Sequence, residues 1–416
     1  MLSKIEIYKS IKQIIQQDYA GFQSKAHLNK PNQYKVSNEM SELEFEETIQ
    51  QYLLDFNDGH LWFKSKQSAL PYRGFTVRRY KDKLYVTESP KESRLVAGDV
   101  ISHIDNQSIE SLSEKHSKIL GDAVHERQIW SQVLSRAEKI TSFRNDQKSE
   151  MILEKYERLP YEPEYSFQMI DEQVGYLKLT DFFQAEPIEQ LITENQKLLS
   201  SLENLIIDVR VNNGGNDAFY FPLLPYIFDE TISFEELFHE DEAMHTNFTK
   251  ANYDRWIPEL KEYLKQDLEE NTRQTLIDEI ALWEKNKGKG LLEVIDEVDF
   301  LIVGKKNPVN IYVLSDFFCG SSGETFVKNV KNSPKVTVLG RPTMGIMDIF
   351  NVITVDYGEY EFYYGISKSA DEHAYNGIGI QPDVYIPWIP NHLEKDVDLE
   401  FALNLIKQKE NQPERN

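Results

Sequence analysis

The sharpest chemical feature is a serine pair inside Cys319-Gly320-Ser321-Ser322-Gly323-Glu324. The residues before it, Asn-Ile-Tyr-Val-Leu-Ser at 310–315, read as an apolar strand. Those after it, Thr-Phe-Val-Lys-Asn-Val at 325–330, read as a helix. A small-residue turn between a strand and a helix exposes a hydroxyl at the helix N-terminus. There the unpaired N–H groups and the positive end of the dipole can hold a developing oxyanion. Ser321 is therefore a candidate nucleophile. Serine before a helix is also the ordinary N-cap, and the G-x-S-x-G order of the hydrolase elbow is absent.

Two further features could complete such a site. Val211-Asn212-Asn213-Gly214-Gly215 follows the apolar run Leu-Ile-Ile-Asp-Val-Arg at 205–210. Paired glycines let the backbone turn sharply and present N–H groups outward. A phosphate loop would need Lys-Ser/Thr next, but Asn216-Asp217 follows. His60 sits in Asp58-Gly59-His60-Leu61, a turn signature. None of the nine histidines pairs at HxxxH or HExxH spacing, and Cys319 is the only cysteine. A disulfide within the chain is excluded, a multi-cysteine metal site is too, and a histidine-based metal site has little support. A serine nucleophile needs a base to take its proton and donors for the oxyanion. Ser321, His60 and the Gly-Gly loop can supply these parts if the fold unites them.

The elements that must do so are legible as pattern. Residues 1–56 read as helices, with Ile7, Tyr8, Ile11, Ile14 and Ile15 on one face. Ser41 with Glu44 three places on is a capping box for a second helix that ends at the histidine turn. Residues 70–115 change character. Alternating β-branched and aromatic residues, a Lys81-Asp82-Lys83 turn and Gly98-Asp99-Val100-Ile101 predict short strands. From 166 onward strand and helix alternate, which argues for an α/β layer. Residues 229–295 interrupt it as an acidic, helix-periodic insertion, a helix follows near 396–408, and the tail 411–416 is expected to fray.

Composition sets the class. The chain has 416 residues, 40% hydrophobic and 28% charged, enough apolar material for two or three packed domains. Lys plus Arg is 46 and Asp plus Glu is 69, a net charge of −23. That balance opposes nonspecific binding to nucleic acid or anionic membrane. No run approaches the ~20 apolar residues of a membrane helix. The N-terminal stretch lacks the continuous apolar core of a signal peptide and a lipid-attachment cysteine, so the expected location is the cytoplasm.

In order along the chain, "DGH" at 58–60, the strand-turn pattern near 72–115, "IIDVRVNNGG" at 206–215 and "CGSSGE" at 319–324 resemble peptidase family S41. "GRPTMG" at 340–345 and "GIGIQPD" at 377–383 complete the set. That family holds the C-terminal processing (tail-specific), tricorn core and nisin-resistance-type proteases. The 72–115 segment resembles a PDZ domain. The resemblance implies an α/β, crotonase-like spiralled ββα peptidase core with an N-terminal helical region and an inserted PDZ-like domain. The expected boundaries are 1–65, 66–125 and 126–416, with the insertion at about 229–300. It implies hydrolysis of peptide bonds through an acyl-enzyme, peptide or protein substrates and no cofactor or metal.

Carried over by position, the nucleophile is Ser321 and the oxyanion donors are the N–H of Ser322 and of Gly214 or Gly215. The lysine base of the processing proteases, about 25 positions on, is Ile346 here. The match therefore points to the Ser–His branch, with His60 as base. The tricorn-type serine before the histidine is Gly59, and the assisting glutamate falls on or near Asn376. Asp348 is the candidate orienting acid. A scaffold-retaining protein that binds peptide or lipophile without catalysis, and an esterase, stay open as alternatives.

Overall fold

The computed structural model describes residues 2–67, 70–237, 243–266, 270–294, 300–370 and 375–411. Most of the expected frayed tail lies outside them, as do parts of the expected insertion. The chain divides into two compact units: Met1–Ala69, Phe238–Val298 and Ile346–Asn376 form the first, and Leu70–Leu237, Asp299–Gly345 and Gly377–Asn416 the second. No described helix is long and apolar enough to cross a membrane.

The first unit is built on a five-stranded antiparallel sheet. Its central strand, Tyr360–Ser369, pairs with Trp62–Ser65, Met244–Phe248 and Ile349–Asp356, and Gly290–Val294 completes the sheet beside Met244–Phe248. The predicted helices are present as Lys4–Gln17 and Glu42–Leu53. The Ser41–Glu44 box closes in both directions. Their apolar faces supply Ile7, Ile11, Ile15, Phe45, Ile49 and Tyr52 to a core shared with Phe362 and Tyr364 of the sheet. The expected insertion carries two helices, Lys250–Tyr263 and Glu270–Asn286, but also the two strands flanking them. Those strands pair with each other, so the segment is part of the sheet rather than a purely helical excursion.

Among the described residues the second unit holds two six-stranded sheets and a short antiparallel pair, Ile232–Ser233 with Leu301–Ile302. One runs in the order Val384–Tyr385, Val336–Gly340, Asn310–Ser315, Asn204–Asp208, Val174–Leu179, Tyr165–Met169. All pairings are parallel except the last. The inner strands are apolar on both faces because helices cover them; Asn204–Asp208 is buried throughout. Helix Val397–Glu410 packs Ala402 and Ile406 against Ile206, Tyr312 and Leu314. The other sheet is antiparallel, with Thr76–Tyr80 at its edge, then Lys83–Glu88, Val100–Ile104, Lys139–Arg144 and Gln147–Ile152. It encloses its own core around Leu84, Ile101, Ile104, Trp130 and Ile140.

Candidate active site

Strand Asn310–Ser315 lies between Asn204–Asp208 and Val336–Gly340, so its C-terminal end opens beside the Gly-Gly loop. Helix Ser322–Val330 starts there. Ser321 stands at the junction with φ 53° and ψ −124°. The chain contains its own controls. Ser3 and Ser41 are N-caps with φ −71°, ψ 159° and φ −61°, ψ 163°, the extended conformation usual for that role. Ser321 is instead held in a region that costs about 1–3 kcal/mol for a residue with a Cβ. Capping alone needs no such strain.

The surrounding bonds over-determine that conformation. Gly320 donates its N–H to the Asn212 carbonyl at 2.9 Å, and Gly323 to the Gly320 carbonyl at 3.0 Å. Glu324, fully buried, accepts the Ser321 N–H at 3.1 Å through Oε2. Its Oε1 accepts the Thr343 hydroxyl at 2.7 Å and the Gly345 N–H at 2.6 Å. One carboxylate thus braces the serine turn against the 340–345 loop. The Thr343 hydroxyl in turn accepts the Ile380 N–H at 2.7 Å, tying in the 377–383 segment.

The Gly-Gly loop is pressed onto the serine. A Cβ on Gly214 would stand 2.7 Å from Ser321 Cβ and 2.9 Å from the Gly320 carbonyl, and Gly214 has φ 80°. Both facts require glycine. Asn212, fully buried, accepts the Gly214 N–H at 2.9 Å. The Gly214 carbonyl accepts from Phe182, and Asn216 donates to the Phe182 carbonyl. The Gly215 carbonyl accepts the Ser322 hydroxyl at 2.7 Å. Two N–H groups remain without an acceptor among the described residues: that of Gly215, and that of Ser322 in the helix's first turn. The structure therefore brings Ser321, Ser322, Gly214 and Gly215 together.

Beneath the serine strand a buried charge network fixes the sheet end. Asp316 receives Arg78 at 2.6 and 2.7 Å and Arg341 at 2.7 Å. Burial alone would raise its pKa, but the two guanidiniums hold it well below the usual carboxylate range. Arg341 continues to Asp398 at 2.6 and 2.8 Å.

His60 and Asp348 belong to the first unit. The turn carrying His60 is pinned through its backbone. Asn57 is left-handed at φ 46°. Asp58 accepts the His60 N–H at 2.9 Å and the Tyr19 hydroxyl at 2.5 Å. A Cβ on Gly59 would stand 2.3 Å from Ile346 Cγ2, so a serine there would require the Ile346 side chain to shift. The residue is 8% exposed, and its ring Nδ1 is sealed without a hydrogen-bond partner among the described residues. The Asp348 carboxylate accepts the N–H groups of Tyr375 and Asn376 at 2.9 and 3.0 Å. Burial raises its pKa, partly offset by those amides and by Lys25. No hydrogen bond joins Asp348 to His60.

Sequence reasoning passed over Glu324, Asn212 and Tyr19 as members of the site. The spacing of Ser321 and Glu324 matches a capping box, so the first had a readable signal. The other two act through contacts that only the fold creates.

No curated protein sequence matches this chain. Among solved structures, mature CPAF shares 15% identity with it at a TM-score of 0.68, covering 97% of this chain and 96% of that one. Mature CPAF complexed with lactacystin shares 14% at 0.66, covering 98% of each. A peptidase from Parabacteroides merdae ATCC 43184, named as putative, shares 13% at 0.50, covering 98% and 97%. At these identities the likeness is one of fold. The model of peptidase family S41 matches residues 173–386, a span that holds the Gly-Gly loop, the serine turn and the strands that carry them. Sequence and fold agree: the chain belongs to peptidase family S41.

Proposed function

We propose that this protein is a serine peptidase that cleaves peptide bonds through an acyl-enzyme, with Ser321 as nucleophile and His60 as general base. The observation that carries the reading is the strained Ser321 backbone, with two unpaired N–H donors beside it. His60 takes the Ser321 hydroxyl proton as Oγ attacks the scissile carbonyl carbon. The oxyanion is received by the N–H groups of Gly215 and Ser322. Gly214 is left out because its N–H is already given to Asn212. His60 then protonates the leaving amine, and water, deprotonated by the same ring, releases the acid. The sealed Nδ1 of His60 supports a ring whose chemistry runs through Nε2.

The antiparallel sheet is read as a PDZ-like module that captures extended substrate. Its edge strand, Thr76–Tyr80, is the surface for strand addition, and the backbone N–H groups of the preceding Tyr72-Arg73-Gly74-Phe75 loop receive the substrate's C-terminus. The Arg73 guanidinium is not part of that capture. It is buried and spent on the carbonyls of Leu134, Leu153, Glu154, Ser135 and Ala137.

A second reading, a scaffold that binds peptide without cutting it, draws on the unpartnered His60 ring and the Ile346 in the lysine position. Labelling decides between them. A fluorophosphonate, and lactacystin by analogy with its CPAF complex, should modify the parent chain and not Ser321→Ala. An unlabelled parent chain would leave only the binding reading.

A further inference from the structure

Asp217, two residues beyond the Gly-Gly pair, has no role in the mechanism above and, among the described residues, no ion-pair partner. It opens the helical turn Asp217–Leu223, behind Asn216, whose side chain caps that turn through the Ala218 N–H at 3.0 Å. Its Oδ1 is fully enclosed and has no hydrogen-bond partner. An enclosed carboxylate oxygen without a donor is costly, and natural structures seldom keep one without a use. The side chain that acts on this carboxyl is Ser322, whose hydroxyl pulls its pKa down against burial. That hydroxyl has one proton and faces two acceptors, because it also donates to the Gly215 carbonyl at 2.7 Å.

We propose that Asp217 and Ser322 are positioning residues for the oxyanion site: the uncharged Asp217 carboxyl donates to the Ser322 hydroxyl, which donates to the Gly215 carbonyl. This chain of two bonds ties the start of helix Ser322–Val330, which carries one oxyanion donor, to the loop that carries the other. When Asp217 ionises it becomes an acceptor only and competes for the Ser322 proton. The Gly215 carbonyl then loses its side-chain donor. The glycine backbone on either side, at φ 80° and 138°, has little intrinsic stiffness to keep the Gly215 N–H aimed.

The switch falls in a useful range. Burial pushes the Asp217 carboxyl up to about 6, against a smaller opposing pull from Ser322. On its own turn the coupled titratable group is Tyr220, whose phenol accepts from Asn329. The other charged groups on packed elements are Glu186, Glu189 and Glu194 on helix Ala185–Glu194, and Glu324 and Lys328 on helix Ser322–Val330. Glu324 is committed to the bracing described above, and Glu186 and Glu189 face solvent.

The inference rests on Ser321 being the nucleophile, and the experiment separates the two. The rate of fluorophosphonate labelling is measured from pH 5 to 7.5 in the full-length parent, Asp217→Asn, Ser322→Ala, Ser322→Thr and the double variant Asp217→Asn/Ser322→Ala. Asparagine keeps a donor toward Ser322 at every pH. The ratio of the Asp217→Asn rate to the parent rate should therefore climb about tenfold through pH ~6, the worth of one hydrogen bond. Below pH ~6 Ser322→Ala should lower the rate about tenfold and Ser322→Thr should restore it, and the climb should vanish when the double variant is compared with Ser322→Ala instead of the parent. Independently, the melting temperature of the parent should fall relative to Asp217→Asn as pH rises from about 4 through about 6, and level off above. A carboxyl raised by burial favours folding only while protonated. A flat rate ratio in a parent that is labelled at Ser321 overturns this inference alone. A flat melting difference does the same. A parent never labelled at Ser321 overturns both.

Discussion

The turn at Ser321 and the turn at His60 are built to different standards. Around Ser321 the strained backbone is held by Glu324, Asn212 and the Gly-Gly loop, and the two free N–H groups are those a reaction could use. Around His60 the backbone is held just as firmly, by Asp58, Tyr19 and the Ile346 wall against Gly59, but the ring is not. Among the described residues no carboxylate hydrogen-bonds it. The difference teaches where pre-organisation is concentrated. Oxyanion donors and nucleophile must be placed within tenths of an ångström before reaction. On the proposed assignment of His60 as base, a nearly buried side chain on a stiff turn has few ring orientations to choose from, so packing can take over part of what an orienting acid does elsewhere.

The largest effect expected is at Ser321. Ser321→Ala should lower kcat by up to about six orders of magnitude. Its melting temperature should stay near the parent's, because alanine inherits the same strained φ. Ser321→Gly should be equally inactive yet more stable, by about 1 kcal/mol, since glycine sheds the strain. A glycine variant no more stable than the alanine one would mean the turn is not strained, and the contrast with Ser3 and Ser41 would lose its meaning.

His60→Ala should come next. The expected fall in kcat is about four to six orders of magnitude with little change in KM, the pattern of an interaction made only in the transition state. A change confined to KM would move His60 from chemistry to binding. Gly214→Ala should rank third. A Cβ there meets Ser321 Cβ at 2.7 Å with φ 80°, so a stability loss of about 2–4 kcal/mol is expected from overpacking and left-handed strain together. Displacement of the loop should lower kcat by about a hundredfold, the scale of one misplaced oxyanion donor. Urea unfolding and steady-state kinetics on the same preparation separate these two effects.

What could be read from the residues follows the range of the interaction. The Ser41–Glu44 box and the isoleucine face of the first helix are local, so pattern alone yields them. Strands Asn204–Asp208 and Asn310–Ser315 are buried on both faces and read as apolar runs. The serine turn was legible for the same reason. Met244-His-Thr-Asn-Phe248 was not, because a polar five-residue strand takes its identity from partners at Gly290–Val294 and Ser367–Ser369, which no window contains. Glu324 could be seen as a cap, but its hold on Thr343 and Gly345 depends on a loop some twenty residues away. Asp217 carried no signal at all. An aspartate after a Gly-Gly turn is ordinary, and only enclosure of its Oδ1 by the fold pushes its carboxyl pKa up.

The smallest effect expected, and the one that sharpens the contrast most, is at Asp348. Its carboxylate is spent on the Tyr375 and Asn376 amides, and burial raises its pKa. Raised in the folded state, the group favours folding below its unfolded value, about 3.9. That contribution is lost as pH rises through the folded value, so at neutral pH the parent carries a penalty for the buried charge. Asp348→Asn removes the charge, keeps one acceptor for an amide and gives up the other. The two changes oppose each other. Net stability at pH 7 should shift by less than about 1 kcal/mol, and the variant should gain on the parent between pH 4 and 7. On kcat the change should stay within about threefold, because the carboxylate makes no bond to His60. A fall of several hundredfold in kcat at constant KM would show that Asp348 reaches the ring during turnover. The base would then be as fully assisted as the nucleophile, and the difference between the two turns would belong to the resting enzyme only.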